Sequence, residues 1–231
     1  MKKTTIILFC ILMCLQAKAQ FSISYSFGYG TYKMDDMKNI LISAKEAINS
    51  QYPGLDAQIV DNFPGYITHT LDVGYRIQQN EFGQKATFLT TGGKLSRADY
   101  SGEYEEKITL STYRQGVFYR NYFYTSNMSN NRSLSLFGEI SPSVIFTKMK
   151  TEGHISIGNE TQHMDQIHLN STSFAILPQI GLKFNLNPHI GFLLSSGYDF
   201  NFGSGIDKLG GNKIDWSGFR VSLGASYTFN Q

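Results

Sequence analysis

The sequence predicts an all-β fold: an eight-stranded antiparallel up-and-down transmembrane β-barrel with a short helix in the first long loop. Eight segments alternate bulky apolar side chains with small, polar or charged ones at every second residue, which is the period of a β-strand. The connections alternate between long and short, as they do when external loops and short periplasmic turns join strands across a bilayer. A soluble barrel of the lipocalin type would place the apolar sets inside, where so many Phe, Leu and Tyr side chains would overcrowd a small lumen.

Residues 1–19 have the organisation of a secretory signal peptide. Lys2 and Lys3 form a basic start, an apolar run follows, and Ala17 and Ala19 form a cleavage site of small residues. The apolar run is too short to cross a bilayer as a helix. We therefore expect export, with residues 20–231 forming one outer-membrane β-barrel domain.

Removal of that segment changes both the charge and the cysteine content. The chain has 20 basic and 18 acidic side chains, and the segment contains Lys2, Lys3 and Lys18, so the mature protein carries one net negative charge. This balance predicts no binding of nucleic acid. Cys10 and Cys14 are also removed, which leaves no thiol for a disulfide or a metal.

The first and last predicted strands show the clearest alternation. Residues 21–31 place Phe and Tyr on one face and Ser and Gly on the other, and residues 217–229 repeat this pattern. A barrel closes by pairing its first strand with its last, so we expect these two strands to be neighbours. The predicted lipid-facing side of the closing strand consists of Phe219, Val221, Leu223, Tyr227 and Phe229.

Residues 32–65 interrupt the strand pattern and contain a predicted helix from about Met37 to Ser50. Asp35 or Asp36 is expected to cap its start, and Tyr52-Pro53-Gly54 to stop it. The apolar stripe of this helix has two interpretations. It packs across the barrel mouth or against the loops, or it binds the membrane surface or a partner.

Six further strands are predicted at 65–78, from about 84, at 103–124, 133–148, 171–185 and 190–202. Between the first two of these, Asn80–Gly83 is predicted to form a turn, and residues 151–170 are predicted to form a loop or a hairpin extension beyond the membrane. In the segment 103–124 the alternation is blurred. There we favour Arg114, Gly116 and Arg120 inside and Val117, Tyr119 and Phe123 outside.

The predicted inward faces carry charged side chains: Asp72, Arg76, Glu139, Lys183, Asp199 and Arg220, joined by Arg114 and Arg120. Charges inside a narrow lumen must be paired or hydrated. We therefore predict a network of ion pairs that fills the lumen, with a proton or ion path as the alternative. Eight strands leave room for side chains but not for an open aqueous pore.

The segment 151–170 also contains histidine and carboxylate side chains, which are the groups that bind metals or support hydrolysis. His154, His163 and His168 lie there among Glu152, Glu160 and Asp165. Their spacing matches no helical metal motif, and polar loops collect such residues by chance. We expect no catalytic residue, no metal and no cofactor.

Several stretches resemble the outer membrane β-barrel domain proteins of Gram-negative, Bacteroidetes-type bacteria, a family that is mostly uncharacterised. The resemblance covers the mature chain and is carried by residues 90–104 (TTGGKLSRADYSGEY), Phe63-Pro64-Gly65-Tyr66, Val73-Gly74-Tyr75-Arg76 and the terminal Tyr227-Thr228-Phe229. It implies an outer-membrane protein that contacts lipid and the barrel assembly machinery.

Taken together, the patterns predict a monomeric outer-membrane barrel with a structural, adhesive or partner-binding role through its external loops. The expected partners are outer-membrane lipid, the barrel assembly machinery and an extracellular partner. The alternative is a barrel-embedded lipid-modifying enzyme or a narrow conduit for small solutes.

Overall fold

The computed structural model describes residues 19–52, 54–100, 102–157, 160–203 and 211–229, so the predicted signal peptide up to residue 18 lies outside the described residues. This part of the chain has no helix that is both long and apolar enough to cross a membrane. Within it, ten strands and one helix follow in this order: β1 Ala19–Gly30, α1 Asp35–Gln51, β2 Gln58–Asn62, β3 Tyr66–Ile77, β4 Asn80–Asp99, β5 Gly102–Asn127, β6 Ser133–Ile157, β7 Glu160–His163, β8 Ile167–Asn185, β9 Ile190–Gly203 and β10 Gly218–Phe229.

Eight of the described strands form a closed antiparallel barrel, which confirms the predicted fold class. Each strand pairs with the next one around the ring, in the order β1, β3, β4, β5, β6, β8, β9 and β10. The ring closes between β10 and β1, where Phe21 lies opposite Phe229 and Gly30 opposite Arg220. The two remaining strands, β2 and β7, add to the edges of β4 and β6 outside the ring.

The two ends of the barrel differ. At one end, called here the turn end, residues 78–79, 128–132 and 186–189 make short connections, and β1 starts and β10 finishes there. The opposite end, the loop end, carries α1, β2 and β7. The predicted turn at Asn80–Gly83 is wrong: Gln78 adopts the left-handed conformation with φ 55°, so the chain reverses before Asn80 and β4 starts at that residue.

The outer surface of the barrel is apolar and carries two aromatic bands. Around the turn end, neighbouring strands place aromatic rings directly opposite one another, in the series Phe229, Phe21, Tyr75, Phe82 and Tyr119. Toward the loop end, a second series runs through Phe88, Tyr113 and Phe146 of β4, β5 and β6. Aromatic girdles above and below an apolar zone are typical of barrels that cross a bilayer.

Beyond the second aromatic band the strands continue and the pattern inverts. In β5, Tyr104, Ile108 and Leu110 are buried, whereas Glu103 and Lys107, which precede Tyr104 and Ile108, are exposed. An apolar inner face with a polar outer face is the arrangement of a sheet that stands in water. β5 has 26 residues against 12 in β1, and the difference corresponds to about 46 Å of extra strand. The segment 151–170 is therefore a hairpin extension.

The helix α1 packs across the loop end of the barrel, as the first of the two interpretations predicted. Met37 and Leu41 are completely buried in an apolar cluster that also contains Leu89, Leu95 and Trp216. The stripe of α1 is therefore covered by the barrel mouth and is not free to lie on a membrane.

The start of α1 differs from the prediction. The helix begins at Asp35, and Met34, with φ 47°, occupies the N-cap position without a side-chain cap. Asp35 and Asp36 lie in the first turn, where carboxylates favour the helix dipole. Asp36 instead accepts a hydrogen bond of 2.9 Å from the backbone N–H of Lys213 and so ties α1 to the connection before β10.

Candidate functional site

The half of the lumen near the turn end contains a buried group of ion pairs centred on Arg120, called here the Arg120 group. The guanidinium of Arg120 contacts three carboxylates, at 2.6 Å from Glu139, 3.1 Å from Asp72 and 3.2 Å from Glu81. Lys85 contacts two of the same carboxylates, at 2.9 Å from Glu139 and 3.1 Å from Asp72. Two cations therefore neutralise most of the charge of three buried anions.

Strand register explains why these residues meet. Glu81 of β4 lies directly opposite Arg120 of β5, which lies opposite Glu139 of β6. On the other side of Glu81, Arg76 of β3 occupies the neighbouring position. Inward residues that are opposite each other on adjacent strands have Cβ atoms about 5 Å apart, so opposite charges at these positions form pairs.

Further hydrogen bonds reach two of the three carboxylates of the Arg120 group, whereas one oxygen of Asp72 has no partner among the described residues. Glu139 also accepts from Ser141 at 2.7 Å and from Gln179 at 2.6 Å. Glu81 accepts from Ser22 at 2.7 Å and from Tyr122 at 2.5 Å. Such bonds matter because they offset part of the cost of burying a charge.

A second group of ion pairs, the Asp199 group, lies nearer the loop end. The carboxylate of Asp199 is completely buried and lies 2.5 Å from Arg114 and 3.3 Å from Arg220. Arg220 also donates to the backbone oxygens of Thr31 and Trp216, at 2.5 and 2.6 Å. This arginine therefore connects the loop after β1 to the segment before β10.

Trp216 fills the lumen above the Asp199 group. Its side chain is completely buried, its indole N–H donates to Thr147 at 2.9 Å, and the ring of Tyr32 meets it edge-on at 4.9 Å. Tyr32 belongs to the loop after β1, and burial raises the pKa of its hydroxyl to about 12, so this group stays neutral at physiological pH. The helix α1 then covers this layer.

Little space remains between the two groups of ion pairs. The cavity there has a volume of about 40 Å³, and its lining includes Asp72, Lys85, Arg114, Arg120 and Arg220. A cavity needs about 10–15 Å³ of such volume to hold one water molecule. The middle of the lumen therefore has space for very little water.

The structure brings the predicted lumen charges together in unequal ways. Asp72 and Glu139 belong to the Arg120 group, and Asp199 and Arg220 form the second group with Arg114. Arg76 and Lys183 form no ion pair with either group in the described lumen, and they lie at the turn end, 3.9 and 5.9 Å from the centroid of the Tyr122 ring. The predicted outward residues of the closing strand lie on the outer surface, between 43% and 55% exposed: Phe219, Val221, Leu223, Tyr227 and Phe229.

Sequence reasoning missed three residues of this lumen. Glu81 was placed in a turn, Lys85 was given no face, and Trp216 was overlooked at the end of a glycine-rich connection. An alternation started at Asn80, four residues earlier, would have shown Glu81, Lys85 and Thr87 as one inward series.

The histidine-containing segment lies on the hairpin extension, outside the lumen. His154 of β6 is opposite His163 of β7, with ring centroids 6.3 Å apart, and it lies 3.9 Å from Glu103. Across the described ranges, no cluster of three or more His, Cys, Asp or Glu side chains has the geometry to hold a metal ion.

Closed strand pairing, an apolar outer surface with aromatic bands and a charged interior together define a transmembrane β-barrel of the outer-membrane type. The chain is an outer-membrane β-barrel protein. No protein-family model matches it, and no curated protein is found as its relative.

Several solved structures of outer-membrane proteins resemble this chain at low sequence identity. OprG from Pseudomonas aeruginosa is 12% identical over 93% of this chain and 98% of its own, with a TM-score of 0.48. Ail, the attachment invasion locus protein of Yersinia pestis, solved in complex with the heparin analogue sucrose octasulfate, is 16% identical over 91% and 99%, with a TM-score of 0.39. The outer membrane protease OmpT from Escherichia coli is 10% identical over 91% and 96%, with a TM-score of 0.35. Strand pairing and surface chemistry are the features that make this chain an outer-membrane β-barrel.

Proposed function

We propose that this protein is a monomeric, non-conducting outer-membrane barrel whose role is performed at the loop end, by binding a partner outside the cell. We further propose that it belongs to the Bacteroidetes-type barrel family and that it is not an enzyme. In this proposal the barrel anchors the molecule in lipid, and the extended strands present a surface above the membrane.

The observation that carries the proposal is the filling of the lumen. Two groups of buried ion pairs, the side chain of Trp216 and the helix α1 follow one another along the axis. A solute would have to displace charges that are buried and paired, which costs several kcal/mol for each ion that loses its partner. This argues for a plug over a conduit.

The strands that continue beyond the second aromatic band support a role outside the membrane. Their outer face is polar and carries charges of both signs, including the ion pair of 2.7 Å between Lys94 and Glu105 and the pair between Lys150 and Glu152. Paired strands with a buried apolar interior hold in place the backbone that carries these side chains. A surface on such a backbone loses less conformational entropy when a partner binds than a flexible loop would.

Planar-bilayer recordings test whether the barrel conducts. The mature protein, refolded and inserted, is expected to give no steady conductance steps, while a general porin in the same membranes serves as the positive control. Reproducible steps from the native protein would contradict the proposal and favour the conduit.

A shortened variant tests the external role. Replacing residues 94–107 by a short turn removes the tip of the β4–β5 hairpin beyond the aromatic band. Cells that display native and shortened forms at equal levels are compared for attachment to host cells and to surfaces coated with extracellular protein. Loss of attachment in the shortened form supports the proposal; equal attachment contradicts it.

A further inference from the structure

A second cavity opens at the turn end of the barrel, opposite the proposed partner-binding end. Its volume is about 650 Å³. The lining includes three cationic residues, Arg76, Arg132 and Lys183, and the side-chain amides of Asn185 and Asn187. Among the described residues that line this cavity, none is acidic. A cavity with cations and amide donors but no carboxylate has the chemistry of an anion site.

Lys183 is the residue that distinguishes this cavity from an ordinary basic surface. Its side chain is only 3% exposed, yet it lines the cavity. Within the described part of the chain, its ammonium makes no hydrogen bond and no ion pair, and it lies 5.9 Å from the centroid of the Tyr122 ring. A buried cation without an acceptor is costly unless an anion or water supplies one.

The carboxylate whose charge acts on Lys183 is that of Glu81, and both of its oxygens are already engaged. One oxygen of Glu81 accepts from Ser22, and the other accepts from Tyr122 and Arg120. Across the described lumen, four buried carboxylates face five buried cations, and Arg76 adds a further cation at the turn end. One excess positive charge belongs to the Asp199 group, and the other lies at the turn end, where the cavity opens.

Arg76 is held so that its charge remains available. Its Nε donates to the backbone oxygen of Gln78 at 2.9 Å, and its guanidinium lies 3.9 Å from the centroid of Tyr122. Both contacts fix the side chain without neutralising it. A fixed cation that keeps free N–H donors binds an oxyanion with little loss of rotamer entropy.

We propose that the turn-end cavity binds a small oxyanion, a phosphate or carboxylate group, between Lys183, Arg76 and Arg132. The amides of Asn185 and Asn187 supply further hydrogen bonds to the ligand. Short turns of outer-membrane barrels face the periplasm, so the site takes its ligand from the periplasmic side. This site is independent of the loop end and of the proposed external partner.

Isothermal titration of the refolded mature protein tests the site. The protein is held in a neutral detergent at constant ionic strength and titrated separately with inorganic phosphate and with acetate, up to about 10 mM, where a site with a Kd of about 1 mM is occupied. We expect saturable binding of at least one of the two anions. The pair of titrations also decides whether phosphate or carboxylate is preferred.

Substitution of the lysine assigns the binding to the cavity. Lys183→Met keeps the apolar stem and removes the charge, and it is expected to weaken binding at least tenfold. Lys33→Met removes one exposed lysine at the loop end and should leave the affinity unchanged. If Lys183→Met fails to refold, Arg132→Gln at the exposed rim of the cavity replaces it, with an expected loss of about threefold. Absence of saturable binding, or equal affinity in the native and substituted proteins, would overturn the proposal.

Discussion

The guanidinium of Arg120 lies 2.6 Å from the carboxylate of Glu139, and neither side chain is more than 3% exposed. These residues occupy opposite positions on β5 and β6, near the centre of the lumen. This ion pair therefore forms only when β5 and β6 pair in this register. A slip of one residue would turn one of the two charges toward the lipid.

Removing the charge of Arg120 should strongly destabilise the barrel. Arg120→Met leaves Lys85 alone with three buried carboxylates, and loss of one partner from a buried ion pair typically costs about 3–5 kcal/mol. The measurement is urea unfolding in lipid vesicles. Adding Glu139→Gln to Arg120→Met should recover part of the loss, because one unpaired carboxylate is removed. A midpoint equal to that of the exposed control Arg132→Met would contradict the network.

Trp216 provides a direct optical test of the plug. It is the single tryptophan of the chain and is completely buried. The folded barrel should therefore emit at a short wavelength and resist quenching by iodide and acrylamide, and unfolding should shift the emission to the red. Efficient quenching in the folded state would mean that the indole does not fill the mouth.

The position of α1 is tested by two neighbouring substitutions. Leu41 lies on the face of α1 that packs on the barrel and is completely buried, whereas the next residue, Ile42, is 41% exposed. Leu41→Asp places a charge in the apolar cluster and should release the helix, which becomes a substrate for trypsin at Lys38 and Lys45. Ile42→Asp is the matched control and should remain resistant. Equal cleavage of the two variants would show that the helix is not docked through Leu41.

The inversion of pattern along the strands predicts where an added charge is tolerated. Leu223 lies on the apolar outer surface, and Thr109 lies on the polar outer face of β5, beyond the second aromatic band. Leu223→Arg should lower the free energy of unfolding in bilayers by about 2–4 kcal/mol. Thr109→Arg should change it by less than about 0.5 kcal/mol. Similar losses for both variants would place the membrane boundary elsewhere.

The barrel itself was predictable because two-residue alternation is a local property. β1 and β10 expose every aromatic residue and bury or half-bury the small polar residues between them, as expected for a wall that is a single sheet. β5 was harder, because its inward face is apolar at Ile108 and Leu110 but charged at Arg114 and Arg120. A single rule for which face is apolar fails for a strand that passes from water into lipid.

The missed lumen residues depend on features that are not local. Glu81 was assigned to a turn because Asn and Gly favour turns, whereas the chain already reverses at Gln78. Trp216 enters the lumen because its connection folds inward, held by Arg220 and Thr147 from distant strands. The excess positive charge at the turn end could not be predicted either, because it depends on which carboxylates pair with Arg120 and Lys85 in the folded barrel.

Oxygen accessibility along β10 tests the central claim most directly. The mature chain is predicted to contain no cysteine, so single cysteines at residues 219–229 can each carry a spin label in the barrel reconstituted in bilayers. We predict a period of two, with high accessibility to oxygen dissolved in lipid at Leu223 and Tyr227 and low accessibility at Ser222 and Ser226. Maxima at the serine positions, or no periodicity, would contradict a barrel with its apolar face on lipid and its charges inside.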